Sequence, residues 1–492
     1  MTKIIKLITY DLRFPTSDNL DGSDAMNPDP DYSAAYVILE TEDKLLKGHS
    51  FAFTLGRGND LCCEAIQALQ HIVLGLNIEW IRDNLSSFSR MMTSDSQLRW
   101  IGPEKGIIHM ASGAIINAVW DILAKMNNKP LWKQVSDMSP EEISGSIDFR
   151  HITDFLNQDE ANHILKSHQQ SKSKRISILK KEGYPCYVTS AGWLGYSDEK
   201  LKRLCVDAKK KGFEYVKLKV GKNLRDDMRR LEIARSSLGP EIKIMIDANQ
   251  VWEVDEAIKW MKSLSEFNPY FIEEPTSPDD IIGHKKIREA IYPIKVATGE
   301  AVQNRIIFKQ LISEKAIDIV QVDACRMGGL NEVLAVQLMA AKSNLPVWPH
   351  AGGVGLCEYS QHLAIIDYIC VSGRKDKQVI EYVDHLHEHF INPCIIKNAA
   401  YMLPEESGFS VEMKPETLKN NLFISLKIFL LQPHSFLLCI LRRLVIGQNY
   451  LQKHASVLQI IDNGLHYQKI KVFFYMHHLH QLEDPVQLQK YM

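Results

Sequence analysis

The sequence predicts an α/β protein whose larger part is a parallel barrel, preceded by a smaller α+β domain. Three observations lead there. Short apolar runs recur between about 187 and 383 with helical stretches between them; each run ends in a polar or charged residue; and those ends keep close to the ~30 residues of one strand plus its return helix. Asp247 closes IKIMIDAN, Glu273 closes YFIEEP and Glu300 closes IKVATGE, with gaps of 26 and 27 residues. Lys219 in EYVKLKVG lies 28 before Asp247, Asp323 in DIVQVDA 23 after Glu300, His350 in PVWPHAGG 27 later, and Glu381 in VIEYVD 31 after that.

In chain order, the alternation in MTKIIKLITYDLRFPTS reads as a first β-strand, and YSAAYVILETED continues it as a meander. From about 60 to 127 the apolar spacing turns helical, most clearly over Gly106–Met126. Residues 1–145 therefore form the α+β domain and 146–400 the barrel, with a charged helical insertion at about 152–184. Barrel strands are expected near 187–190 and at 215–220, 242–248, 270–274, 294–300, 317–323, 345–350 and 378–383, with helices such as Asp198–Lys210 and Asp255–Leu264 between them. Residues 419–492 differ in character: no Asp or Glu occurs between Glu416 and Asp462, and the apolar residues follow no period. A disordered tail is expected there. Its apolar run Leu422–Ile440 has the length of a membrane span, but Lys427, Pro433 and His434 interrupt it, so no span is expected.

The length of 492 residues exceeds the ~250 of one barrel and calls for a second domain. Apolar content of 45% with 24% charged residues is that of a soluble globular protein, and a net charge of -2 gives no reason to expect nucleic acid. Nine cysteines, an odd number without a Cys-x-x-Cys pair, fit reduced thiols in an intracellular enzyme. The N-terminus has no secretory apolar segment, and Asp11 with the strand pattern argues against an Arg-rich presequence.

Strand ends of a parallel barrel converge on one rim, which is where its chemistry sits. Any one of Asp247, Glu273 and Glu300 alone would read as a polar strand end or helix cap. Three at matched positions on successive strands read as a metal site, and their hard oxygens suit Mg²⁺ better than zinc. Lys217 and Lys219, two apart on one strand, point to the same side. Their mutual repulsion, with a nearby cation, is expected to depress a lysine pKa into the range of a general base. A lone Lys-x-Lys would be a solvated pair; the register puts this one on the rim. Asp323 and His350 end neighbouring strands, where a carboxylate can fix the tautomer of an imidazole facing substrate. Together these groups can abstract a proton next to a carboxylate, with an acid on the opposite face.

The set Lys-x-Lys, MIDANQ, FIEEPTSPDD, ATGE, QVDACR and PHAGGVGLCE, within a similarity covering roughly residues 5–418, resembles the mandelate-racemase-like branch of the enolase superfamily, and within it the L-fuconate dehydratases. A lysine or histidine base beside Mg²⁺ is the known pattern of that superfamily. The resemblance implies a modified TIM-type (β/α)7β barrel under an α+β capping domain built mainly from the N-terminus, with 401–418 returning to the cap. It implies Mg²⁺ on Asp247, Glu273 and Glu300, Lys219 taking the C2 proton of an acid sugar, and Lys217 beside it contacting the carboxylate. His350, oriented by Asp323, would protonate the departing 3-hydroxyl; Glu381 would hydrogen-bond a carboxylate oxygen, and Asn249 would lie near the substrate. The product would be a 2-keto-3-deoxy acid sugar. L-Fuconate as substrate follows from the resemblance alone, with the loops Ala25–Asp31 and Arg99–Lys105 expected to select the sugar.

Family members close with a Tyr-Pro-Asp-Gly segment, whereas this chain proceeds into NLFISLKIFLLQPHSF, which reads as an alternative C-terminus. Two other functions compete: a racemase or epimerase of a 2-hydroxy acid, and a catalytically idle isoform with a binding or regulatory role. The only partner expected is the small acid sugar, apart from a second copy in a homo-oligomer. The resemblance implies the mitochondrion, with the cytoplasm as the alternative.

Overall fold

Strands β1 (Ile4–Arg13), β2 (Ser33–Thr41) and β3 (Lys47–Thr54) pair antiparallel in sequence order, with Arg13 opposite Ser33 and Ser33 opposite Thr54. The helix Gly106–Met126 crosses this meander. It has the length and hydropathy of a membrane span, yet 94% of its most apolar window is buried, so it is the core helix of the cap. Contact is close enough that a Cβ on Gly48 of β3 would lie 2.2 Å from the Ala118 carbonyl of the helix. The computed structural model describes residues 2–423 apart from Pro103. The expected tail from residue 424 onward, with nearly all of its apolar run, lies outside the described residues.

β4 (Tyr184–Gly192), β5 (Tyr215–Lys219), β6 (Lys243–Asp247), β7 (Phe271–Glu273), β8 (Lys295–Thr298) and β9 (Ile319–Val320) follow one another as parallel neighbours. The run expected at 345–350 joins β9 through a Val320–Val347 bridge, and the backbone N–H groups of Trp348 and His350 donate to the carbonyls of Val320 and Val322. β10 (Ile380–Tyr382) pairs in parallel with the free side of β4, so the last barrel strand lies beside the first. β11 (Ile396–Lys397) and β12 (Ala400–Tyr401) form an antiparallel extension on the start of β4. Beyond them the chain runs back along the cap: the Phe409 N–H donates to Asp121, the Met413 N–H to the Tyr36 hydroxyl, and Leu422 bridges Leu12. Residues 152–184 contain the helices Gln158–Gln169 and Lys172–Glu182.

Alternation along the strands explains where the site sits. Inward-facing Tyr187, Tyr215, Met245, Phe271, Ala297, Ile319, Trp348 and Val379 form one buried apolar cluster that plugs the barrel. Two residues further along the same strands come Lys217, Asp247, Glu273, His350 and Glu381. Because side chains two apart share a face, these residues form a polar layer directly above the plug; after Ala297 the position falls on Gly299, and Glu300 follows it. Intervening residues such as Val216, Ile244, Ile246, Ile272 and Val296 face outward and are buried in the main core.

Candidate active site

Register carries the first contacts. Lys219 is the Cα partner of Asp247 and Asp247 that of Glu273, which sets three charged side chains side by side on β5, β6 and β7. The Lys219 Nζ lies 2.6 Å from Asp247 Oδ2. Lys217, fully buried, reaches Glu273 Oε2 and Glu381 Oε1 at 2.8 Å each and Asp247 Oδ2 at 3.5 Å. Asp247, Glu273 and Glu300 each bring an oxygen within 4.8 Å of the other two. Glu273 Oε1 and Glu300 Oε2 are buried without a hydrogen-bond partner. A set made only of oxygens, two of them unsatisfied, fits a hard divalent cation such as Mg²⁺.

His350 approaches the triad from the Glu300 end. Its Nε2 is 3.4 Å from Glu300 Oε2 and 3.7 Å from Glu381 Oε2, with no hydrogen bond to Glu300, while its Nδ1 is 2.7 Å from Asp323 Oδ2. The other Asp323 oxygen accepts from the backbone N–H groups of Cys325 and Arg326 at 2.7 and 2.8 Å, so the carboxylate is itself held in place. Glu381 Oε2 accepts from the Ala351 N–H at 2.9 Å. Asn249 donates its backbone N–H to Asp247, and its side-chain oxygen is buried without a partner. Its φ of +45° and the +70° of Gln250 turn the chain sharply just above β6.

The protein's own charges act against the lysine pKa depression expected beside a cation. Burial pulls the Lys219 ammonium down most strongly and Lys217 pushes the same way, but the carboxylates of Asp247, Glu300 and Asp24 together outweigh them and the pKa rises. Burial likewise opposes Lys217, and Glu273 and Glu381 reverse it. Mutual repulsion of the lysines is real, yet the carboxylates around them dominate. Burial also works against charge on His350, but Glu300 and the hydrogen bond to Asp323 lift it to about 10. Glu381, despite burial, is lowered to about 2 by Lys217 and His350. Glu273 is raised by burial, with Lys217 opposing.

A cavity of about 380 Å³ lies over this layer, with Lys219, Asn249, Glu300, Asp323, His350 and Glu381 on the barrel side. The expected loop Ala25–Asp31 contributes Met26 and Asn27 to the cap side. The other expected loop, Arg99–Lys105, contributes no described residue to the lining: its Glu104 pairs with Arg150 at 3.2 Å and Arg305 at 3.4 Å, and Ile107 and Met110 beyond it line the cavity instead. Sequence reading missed Asp24, Tyr32, Arg57, Trp193 and Arg326 as cavity residues; of these Arg326 closes the QVDACR motif, which was the available signal. It also missed Glu274, a buried acid whose two oxygens accept from the Gln250 amide at 3.0 Å; the doubled acid of YFIEEP was the available signal.

Residues 29–135 match the family model described as mandelate racemase / muconate lactonizing enzyme, N-terminal domain, and residues 200–417 that described as enolase C-terminal domain-like. Mitochondrial enolase superfamily member 1 of Xenopus laevis is 53% identical over 85% of this chain and 94% of its own. L-Galactonate dehydratase of Hypocrea jecorina is 55% identical over 83% of this chain and 91% of its own. The crystal structure of human Mitochondrial enolase superfamily member 1 aligns with a TM-score of 0.85 at 51% identity, covering 86% of this chain and 96% of that one. A racemase structure from Streptomyces coelicolor with bound magnesium shares the fold at a TM-score of 0.67 and 23% identity, over 85% of this chain and 100% of that one.

Proposed function

This chain belongs to the enolase superfamily, with the mandelate racemase / muconate lactonizing enzyme domains, and from that membership we propose that it is a Mg²⁺-dependent acid-sugar dehydratase converting L-fuconate to 2-keto-3-deoxy-L-fuconate. The observation that carries the reading is the arrangement of Lys219 and His350 at the two ends of one acidic triad, 2.6 Å from Asp247 and 3.4 Å from Glu300 respectively. An amine and an imidazole so placed can serve one substrate carbon and its neighbour from different sides.

In this mechanism Lys219 takes the C2 proton, giving an enediolate. Lys217, joined to Glu381 at 2.8 Å just beneath the cavity, supplies the positive charge that draws the substrate carboxylate, and Glu381 would hydrogen-bond a carboxylate oxygen only after taking up a proton as substrate binds. His350 gives its proton to the departing 3-hydroxyl, and Asp323 keeps the ring aimed by holding Nδ1. Asn249, with its unsatisfied side-chain oxygen, takes a substrate hydroxyl. Asp247, Glu273 and Glu300 would hold Mg²⁺, whose charge would replace the lysine–carboxylate pairing, favour neutral Lys219 and stabilise the negative charge building on the substrate carboxylate. Tautomerisation of the enol then yields the 2-keto acid.

L-Fuconate is L-galactonate without its 6-hydroxyl, so the two share the C2–H and C3–OH that the reaction consumes. The 55% identity to an L-galactonate dehydratase therefore supports the substrate class and the stereochemistry at the reacting carbons. Incubating the protein with each acid sugar, with Mg²⁺ and with EDTA, tests the reading. A semicarbazide-reactive 2-keto acid formed only with Mg²⁺ supports it. A diastereomer carrying solvent deuterium would make the protein an epimerase, and Mg²⁺ binding without turnover of any acid sugar would make it an idle isoform. We place it in the mitochondrion, where the names of its vertebrate relatives place them; subcellular fractionation checks this.

A further inference from the structure

Glu358, His387 and Cys394 converge at a second place, apart from the acidic triad, each with one ligand atom within 4.8 Å of the others. Glu358 lies in the first turn of the helix Leu356–Ile366, while His387 and Cys394 are on the chain that follows β10. The His387 Nδ1 is 2.7 Å from Glu358 Oε1 and 3.5 Å from Cys394 Sγ, and its Nε2 is 2.7 Å from the Val383 carbonyl. Nε2 therefore donates to that carbonyl, the outer hydrogen bond that commonly fixes a metal-bound imidazole with Nδ1 turned inward.

The plainer reading is an imidazolium–carboxylate pair. It accounts for Glu358 Oε1, which also accepts from the Cys394 N–H at 3.2 Å. It leaves Oε2 unexplained: Glu358 is 0% exposed and this oxygen has no hydrogen-bond partner. Such an orphan on a buried carboxylate calls for a partner, and a cation can be one.

We propose that Glu358, His387 and Cys394 form a second cation site, one for a soft divalent ion such as Zn²⁺. A mix of sulfur, nitrogen and oxygen donors is the set zinc takes, in contrast to the oxygen-only triad. The 3.5 Å between Sγ and Nδ1 suits two ligands of one tetrahedral ion. The 2.7 Å between Nδ1 and Oε1 has to open by roughly 0.6 Å for bonds of ~2.0 Å, and turning the carboxylate so that Oε2 shares the load allows this. Binding releases the Nδ1 proton and the Cys394 thiol proton to solvent, and no electron moves. Partial exposure of His387 and Cys394 gives the ion a route in. The ion would fasten the chain after Glu381 to the helix that follows His350.

Full-length protein kept in excess Mg²⁺, so that the oxygen triad is served, is titrated with Co²⁺ and then Zn²⁺. One equivalent of cobalt is expected to give a near-ultraviolet thiolate-to-cobalt charge-transfer band that zinc abolishes. Cys394→Ala and Cys394→Ser should each remove the band and weaken zinc binding at least tenfold, the serine variant guarding against loss of fold, and Glu358→Gln should weaken binding while keeping the band at higher cobalt. Glu300→Gln should leave the band in place. No band in the unmodified protein, or a band of equal strength without the Cys394 thiol, overturns the proposal.

Discussion

The imidazole of His350 and the carboxylate of Asp323 meet at 2.7 Å, Nδ1 to Oδ2, at the ends of two neighbouring barrel strands. The bond leaves Nε2 facing the cavity, and it is one of the forces that lift the ring toward about 10. Asp323→Asn should therefore do two things. It should cut kcat by about 10²- to 10⁴-fold through loss of the correct tautomer. It should also move the basic limb of the pH–rate profile to lower pH, since a ring that holds its proton less firmly stops serving as an acid sooner. Steady-state rates from pH 6 to 10 check both, and an unmoved limb would remove Asp323 from this role.

Lys219→Ala should reduce turnover by at least about 10²-fold, the contribution of a positioned general base, with circular dichroism unchanged. Exchange of the substrate C2 proton with deuterated solvent should vanish together with dehydration. Exchange that persists would assign proton abstraction elsewhere.

Removal of the cation should abolish activity reversibly. EDTA treatment followed by dialysis should give an inactive enzyme that Mg²⁺ restores, and Glu300→Gln should raise the Mg²⁺ needed for half-maximal rate by about tenfold or more. Titration of rate against free Mg²⁺ reads the shift.

His350 should also make metal-free protein sensitive to pH. Its folded-state pKa, about 10, lies above the unfolded value of ~6.5, so its contribution to stability is complete below about 6.5 and is lost as pH climbs toward 10. The difference in melting temperature between the unmodified protein and His350→Asn, measured in EDTA, should accordingly shrink across that window.

Gly113, in the middle of the cap's core helix, should be intolerant of any side chain. A Cβ there would lie 2.1 Å from the Met327 carbonyl oxygen and 3.0 Å from the Gly329 nitrogen, both backbone atoms of the barrel. Gly113→Ala should destabilise by about 1–3 kcal/mol, the usual cost of overpacking. Urea denaturation would register it.

Much of the barrel was legible because strand register is a local property. Once Asp247 and Glu273 are placed at the ends of successive parallel strands, period-2 alternation puts both above the apolar plug made by Met245 and Phe271. The cap's share of the cavity was not legible in the same way. Asp24, Tyr32 and Arg57 come from loops whose positions depend on how the meander docks, and neither spacing nor polarity singles them out. The carboxylates that oppose lysine deprotonation were not legible for a related reason. Sequence places Lys217 and Lys219 on one face, but only the fold shows the Glu381 carboxylate, from the opposite end of the barrel sequence, 2.8 Å from the Lys217 ammonium.

The cap helix is joined to the barrel by more than the close approach at Gly113: the Asn117 amide donates to the Ala324 carbonyl at 3.0 Å, Asn117 accepts from the Leu330 N–H, and the Trp120 indole donates to Asn331 at 2.7 Å. A lid bolted along its spine cannot swing like a door. What the reaction chamber admits is then decided by the loops that hang from that frame, Asp24–Asn27 and Phe53–Gly58, which can change to suit another sugar while the frame stays the same.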